Sequence, residues 1–260
     1  MSCCDAGGED TARGSILYSI LRGAHCPQQC VEAATAHRLC SCAPDRAKLV
    51  VTRAPQIVFK AASEVLLKTF RFVKNVPCFR GLPAEDQLRL VRNSWAPLLV
   101  LGMVQDAVDF DTVETQRHSL LHRILTHAPT QIQDPGVPVK DVEGIQMFLV
   151  KCRGLRISVK EYAFLKGAIL FSPVTELECR EYIHALQREA ERALYELVRT
   201  VHRGSRLRAV LNTLRATDPD AVAGLFFRPV TGTSSTDEHV LAMFYGQWGD
   251  RDKRTSHVLI

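Results

Sequence analysis

The chain has 260 residues, 46% of them hydrophobic and 23% charged, with a formal net charge of +5 at pH 7. That length makes one large domain or two small ones, and the apolar share supports a sizeable core, which excludes a wholly disordered or fibrous chain. The charge is mild and the arginines are scattered, so no nucleic-acid face is indicated, and no apolar run reaches the roughly 20 residues a membrane helix needs.

Residues 1–54 differ in character from the rest of the chain. The opening MSCCDAGGED lacks the basic-then-apolar pattern of a signal peptide, so an intracellular chain with mostly reduced thiols is expected. Six of the nine cysteines lie here: Cys3, Cys4, Cys26, Cys30, Cys40 and Cys42. The last four are spaced C-x3-C-x9-C-x-C, a poor fit to the paired knuckles of structural zinc, so free thiols in a flexible arm are the expectation. One short helix is predicted over Ser15–Leu21, SILYSIL, with Ser15 as N-cap and Gly23 as stop. Its face carries Leu17, Ile20 and Leu21, and a helix this short would fold only on a partner's groove.

The globular part is expected to begin near Pro55. Ile57, Val58, Ala61, Ala62, Val65, Leu66, Phe70 and Val73 recur at helical spacing. Pro77 and Gly81 break that helix, leaving Lys74 in its last turn. Pro83 is placed at the first position of the next helix, followed by Glu85 and Asp86 near its positive end. Leu88, Leu90, Val91 and Arg92 lie early on it, and Trp95–Asp109 continues as an apolar run that should be central. Phe110–Glu114 alternates like a short strand. A helix over Ser119–His127 carries Leu121, Ile124 and Leu125, a second apolar box for which core packing is the more natural reading. Thr130–Pro138 is a loop by its proline and glycine, and Ile145–Arg153 a helix. Ser158 with Glu161 makes a capping box, and Pro173 marks a stop. Residues 176–203 are predicted as one long helix, followed by helices at Arg206–Leu214 and Asp220–Phe227. His118, His122, His127 and His184 show no paired metal spacing. Neither a metal nor a cofactor is expected, and no catalytic constellation is visible.

The pattern Phe72-Val-Lys74, then Pro77, Phe79, Leu82, Asp86-Gln87 and Leu90-Val91, resembles the signature of nuclear-receptor ligand-binding domains. The run EYAFLKGAILFSP at 161–173 is similar to a central helix of those domains, and LFFRPV at 225–230 to the end of their last long element. With the GSILYSIL box, the chain resembles the orphan subfamily that lacks a DNA-binding domain, of the small heterodimer partner and adrenal-hypoplasia receptor type.

The resemblance implies an all-α, three-layer helical sandwich over residues 55–245, with residues 1–54 an arm and 246–260 a solvated tail. It also implies a non-enzymatic transcriptional corepressor, nuclear and also cytoplasmic, with no direct DNA binding and no membrane. Leu17, Ile20 and Leu21 would enter the coregulator groove of another nuclear receptor, with Leu121, Ile124 and Leu125 as the candidate second box. The domain's own groove would comprise Phe70, Lys74, Leu88, Val91 and Arg92 and take corepressor proteins, although a C-terminal helix charge also explains Lys74. The helices at 206–228 would serve hetero- or homodimers. Val240, Leu241, Met243 and Phe244 match the C-terminal activation helix, but Ala242 stands where that helix carries an acid, and Glu238 is one turn earlier. The alternative is a small-molecule sensor; Phe70, Phe72, Met103, Phe148 and Phe171 argue instead for a filled core.

Overall fold

Residues 48–115, 136–198, 200–232 and 235–246 are described by the computed structural model. Helix α1 spans Pro55–Asn75, with Pro55 at its first position, where its missing N–H costs nothing. It buries Val58, Ala62, Val65, Leu66, Phe70 and Val73, a 3–4 spacing that makes one apolar face. Val76 is extended, and Pro77 starts a one-turn helix α2, Pro77–Arg80, where the sequence suggests a plain connector.

Helix α3 is Ala84–Gln105, and Pro83 caps it from outside rather than occupying its first position. From Ser94 to Val104 every residue is buried, so this helix is the centre of the domain. It ends four residues before the expected Asp109, since Ala107 takes a positive φ of 53°. Gly102 brings α1 close: a Cβ there would lie 2.6 Å from Val65 Cγ1.

Strands β1 (Leu49–Thr52), β2 (Thr112–Glu114) and β3 (Val137–Pro138) form an antiparallel sheet in the order β2-β1-β3, with Val51 opposite Val113 and Val50 opposite Val137. Strand β2 matches the alternation at 110–114. Residues 49–52 fall within the expected arm and 137–138 within an expected loop, yet they pair: the β-branched run LVVT fits a half-buried strand, and Pro138 sits at a strand end where it need not donate.

Helix α4 runs Val139–Gly154, six residues earlier than the predicted start. Helix α5, Val159–Leu170, begins with the anticipated capping box: Ser158 Oγ accepts from the Glu161 N–H at 3.3 Å, and the Ser158 N–H donates to Glu161 Oε2 at 2.7 Å. The single helix expected over 176–203 is instead two, α6 (Arg180–Leu197) and α7 (Val201–Arg215). Val198 is extended, and the Thr200 hydroxyl accepts from the Arg203 N–H, so a new cap outcompetes continuation. Helices α8 (Pro219–Phe226), α9 (Arg228–Thr231) and α10 (Thr236–Tyr245) complete the described chain. Helix α3 packs against α1, α4, α5, α7, α8 and α10, and α5 packs in turn against α6 and α7, giving the three-layer, all-α sandwich. Among the described residues no helix is long and apolar enough to cross a membrane.

Candidate functional site

The connector between α1 and α3 is built by polar side chains that the signature residues supply. Asp86 is fully buried, and its two carboxylate oxygens accept the backbone N–H groups of Glu178 (2.9 Å) and Cys179 (2.8 Å). These lie at the start of α6, whose own cap residue Cys179 offers no side-chain hydrogen bond, so Asp86 caps that helix from across the domain. Gln87 Nε2 donates to the Leu82 carbonyl at 2.9 Å and fixes the bend into α3. The sequence places Asp86 only at the positive end of its own helix; a spacing of more than 90 residues to its partners leaves no local signal.

Onto this connector packs α10. Val240, Met243 and Phe244 are buried, while Leu241 and Ala242 are half-buried. The Phe244 ring meets Phe70 edge-on at 5.3 Å between centroids and Phe79 at 6.2 Å. The Lys74 ammonium lies 4.9 Å from the centre of the Phe244 ring. Of the five residues assigned to a groove, Lys74 and Arg92 are exposed and Leu88 is half-buried. Phe70 (2% exposed) and Val91 (1%) are instead core residues, and Phe70 lies against Phe244, so neither is on the surface where the sequence reading places a groove. Glu238 is exposed in the first turn of α10, where its N–H donates to the Ser235 hydroxyl at 3.4 Å. It shares a helical stripe with Ala242, four residues on.

His239 anchors the other side of α10, with ring centroids 5.7 Å from Phe59 and 5.6 Å from Phe227; burial pushes its pKa below the ordinary value. Beneath it the interior is aromatic. Trp95 meets Phe227 at 5.8 Å, Phe59 meets Phe227 at 5.9 Å, and Phe110 meets Phe226 at 5.1 Å, all near-perpendicular. Phe70, Met103, Phe148 and Phe171, named as core fillers, are buried, and Phe72 is half-buried with the Lys166 ammonium 5.3 Å from its ring centre. Trp95, Phe226 and Phe227 do as much filling, a part that the sequence pattern does not assign to them.

A second polar lock joins α5 to α7. Arg203 Nε and Nη2 each reach a Glu161 oxygen at 2.6 Å, and Nη1 donates to the Leu155 carbonyl at 3.1 Å. The hydrogen bond from Arg203 holds the Glu161 carboxyl down to about 2, despite its burial. The boxes Leu17, Ile20, Leu21 and Leu121, Ile124, Leu125 lie outside the described residues, as do the N-terminal cysteines and the tail beyond 246.

Residues 48–226 match the ligand-binding domain of nuclear hormone receptors. Over 93% of its length the chain is similar to nuclear receptor subfamily 0 group B member 1: 39% identical to that of Callithrix jacchus, 40% to that of Sus scrofa and 38% to that of Homo sapiens. The chain spans 57% of the length of these curated relatives.

Proposed function

The chain belongs to the nuclear hormone receptor family, a family of non-enzymatic transcription regulators, and on that premise we propose that it is a corepressor that binds the ligand-binding domains of other nuclear receptors. The observation that carries this reading is the contact of Lys74 with Phe244. In the family resemblance, Lys74 and an acid on the C-terminal helix grip the two ends of an incoming coactivator helix. Here the lysine is turned onto the chain's own α10, and Ala242 occupies the acid's place. A coactivator helix would therefore meet one engaged cation and no acid at the Ala242 position, the exposed Glu238 lying one turn earlier.

The chain would act instead as a donor of a helix. Leu17, Ile20 and Leu21 would enter the partner receptor's groove, displacing coactivator by helix-in-groove binding. Its own surface at Lys74, Leu88 and Arg92 would hold corepressor proteins, after a shift of α10. The setting is the nucleus, with the cytoplasm a second location. The interlocked rings of Trp95, Phe59 and Phe227 support a filled core over a ligand-sensing cavity.

The test is binding of the full chain to purified ligand-binding domains of a receptor panel, with and without Leu17→Ala/Leu21→Ala. Each truncated anchor is worth about 2 kcal/mol, or roughly 30-fold, so the double variant should lose on the order of 1000-fold if the two add, and a Leu-x-x-Leu-Leu peptide should compete with the unaltered chain. Unchanged binding by the double variant rejects the mimicry and moves the interface to the helices at 206–228.

A further inference from the structure

Two adjoining clefts, of about 530 and 250 Å³, share Phe148 and Thr213 and make one groove between α4 and α7. Both helices rest on α3, whose Val100 lies in the groove's wall. They run antiparallel along it: Lys151 and Gly154 share one end with Arg206 and Ala209, and Asp141 and Gly144 share the other with Ala216 and Asp218. From Lys140 to Gly154, at 1.5 Å per residue, the groove is about 21 Å long, or about four turns of helix. It has no residue in common with the surface at Lys74.

The lining says what shape of partner fits. Ile145, Phe148, Cys152 and Val210 are its buried floor. Burial pushes the Cys152 thiol up to about 11, so it stays uncharged and packs as a small apolar group. The hydroxyls of Thr213 and Thr217 donate to the carbonyls of Ala209, at 3.0 Å, and of Thr213, at 3.4 Å, so their hydrogens are spent within α7. An extended peptide would find few partners here for its main chain, whereas a helix brings its own hydrogen bonds with it. The banks are also low. A Cβ at Gly144 or Gly154 would meet nothing within 4 Å, and Ala209 and Ala216 stand on the facing bank, so a third helix can come close. Met147, 53% exposed, shares a stripe of α4 with Gly144, Lys151 and Gly154 and adds an apolar side chain to the bank.

The two ends differ in charge. Lys151 and Arg206 are exposed at one end, and neither has an ion pair among the described residues. Asp141 and Asp218 are exposed at the other, with Lys140 beside them. A fatty carboxylate would suit the cations but would lay its methyl end against the acids. A helix with acids at one end and a base at the other matches both. We propose that this groove holds an amphipathic helix of a partner protein, about four turns long, with its acidic end at Lys151 and Arg206 and its basic end at Asp141 and Asp218. It is a second docking surface, and a partner held there leaves the one at Lys74 free.

The experiment is a nuclear magnetic resonance titration of the isotope-labelled full chain with a designed four-turn helical peptide. The peptide carries leucines at 3–4 spacing without a Leu-x-x-Leu-Leu run, two glutamates at one end, a lysine at the other and a spin label beside the glutamates. The backbone signals of Gly144, Gly154, Ala209 and Ala216 should move, and the label should broaden Gly154 and Ala209 while sparing Gly144 and Ala216. Lys151→Glu/Arg206→Glu changes exposed side chains, so Tm should hold while the peptide binds about tenfold more weakly at low salt. A peptide with its charged ends exchanged should bind the doubly substituted chain more tightly than the unaltered one. No movement of the groove signals, movement at Lys74, Leu88 and Arg92 instead, equal broadening at both ends, or unchanged affinity of the doubly substituted chain each overturns the proposal. Groove signals that shift with the concentration of the chain alone would assign this face to a second copy and overturn it as well.

Discussion

Helices α6 and α10 both dock on the α1–α3 connector, and they dock by opposite means. The start of α6 is tied by the buried Asp86 carboxylate, with two backbone hydrogen bonds of 2.9 and 2.8 Å, and its far end leads into α7, which Arg203 ties to Glu161. Helix α10 is held by the apolar side chains Val240, Met243 and Phe244, by the rings around His239 and by the Lys74 cation. Breaking a buried charge–dipole tie strands its partners without water, whereas a helix held by apolar contacts can leave and have its polar groups solvated. The body is thus built as one cooperative unit, and α10 as a part that can undock from it.

The comparison breaks most sharply at Asp86. Asp86→Ala removes, from a fully buried position, the carboxylate that accepts two charge-assisted hydrogen bonds from Glu178 and Cys179, and should cost about 3–5 kcal/mol, lowering Tm by roughly 10 °C in a thermal melt. Asp86→Asn keeps one acceptor and should cost about half as much. If the alanine variant melts within a degree or two of the unaltered chain, the body is not locked through this residue.

Glu161 gives the next effect, and it is read in pH. Its carboxyl titrates near 2 when folded and near 4.5 when free, so the unfolded chain takes up the proton first. The stabilisation is whole above about pH 4.5 and is lost as the pH falls from there towards 2. A depression of this size is worth about 3 kcal/mol. Unfolding free energy measured between about pH 5 and pH 2.5 should fall more steeply for the unaltered chain than for Glu161→Gln. Parallel profiles would mean that the pair with Arg203 adds nothing beyond packing.

These two ties mark the limit of what is legible in the sequence. The helices of the body announce themselves by local means: the apolar period of α1, the Ser158–Glu161 box of α5 and the proline breaks at Pro77 and Pro173. So does the family signature, because its residues, Phe72 to Val91, sit close together along the chain. Asp86 capping α6 and Arg203 reaching Glu161 join residues more than 40 apart, and neither end carries a pattern that names its partner. The break between α6 and α7 is hidden for the same reason. Apolar residues continue in helical rhythm through Leu197, Val198 and Val201, but Val201 is 89% exposed, because Thr200 caps a new helix that Arg203 holds in place. At the candidate site, the sequence points to Phe70, Lys74 and Phe244 separately. That Phe244 covers the first and engages the second depends on where α10 docks.

The smallest effect tests that docking. Removing the Phe244 ring forfeits two edge-on ring contacts and the cation contact, so Phe244→Ala should release α10 while Tm moves only a few degrees, because the body does not depend on it. Amide exchange should show lost protection confined to 240–245. His239 provides the same release without a truncation. Burial holds its folded pKa below that of the free side chain, so the undocked state is the one that binds the proton. Docking is therefore complete above about pH 6.5 and weakens as the pH falls below it. Exchange at 240–245, corrected for the intrinsic pH dependence of the rate, should accelerate between about pH 7.5 and 5.5, with the body amides unchanged. His239→Phe, which keeps a ring between Phe59 and Phe227 and cannot be protonated, should remove that dependence. If the body amides accelerate in step with α10, the two regions open together, and the corepressor surface at Lys74 cannot be uncovered by α10 alone.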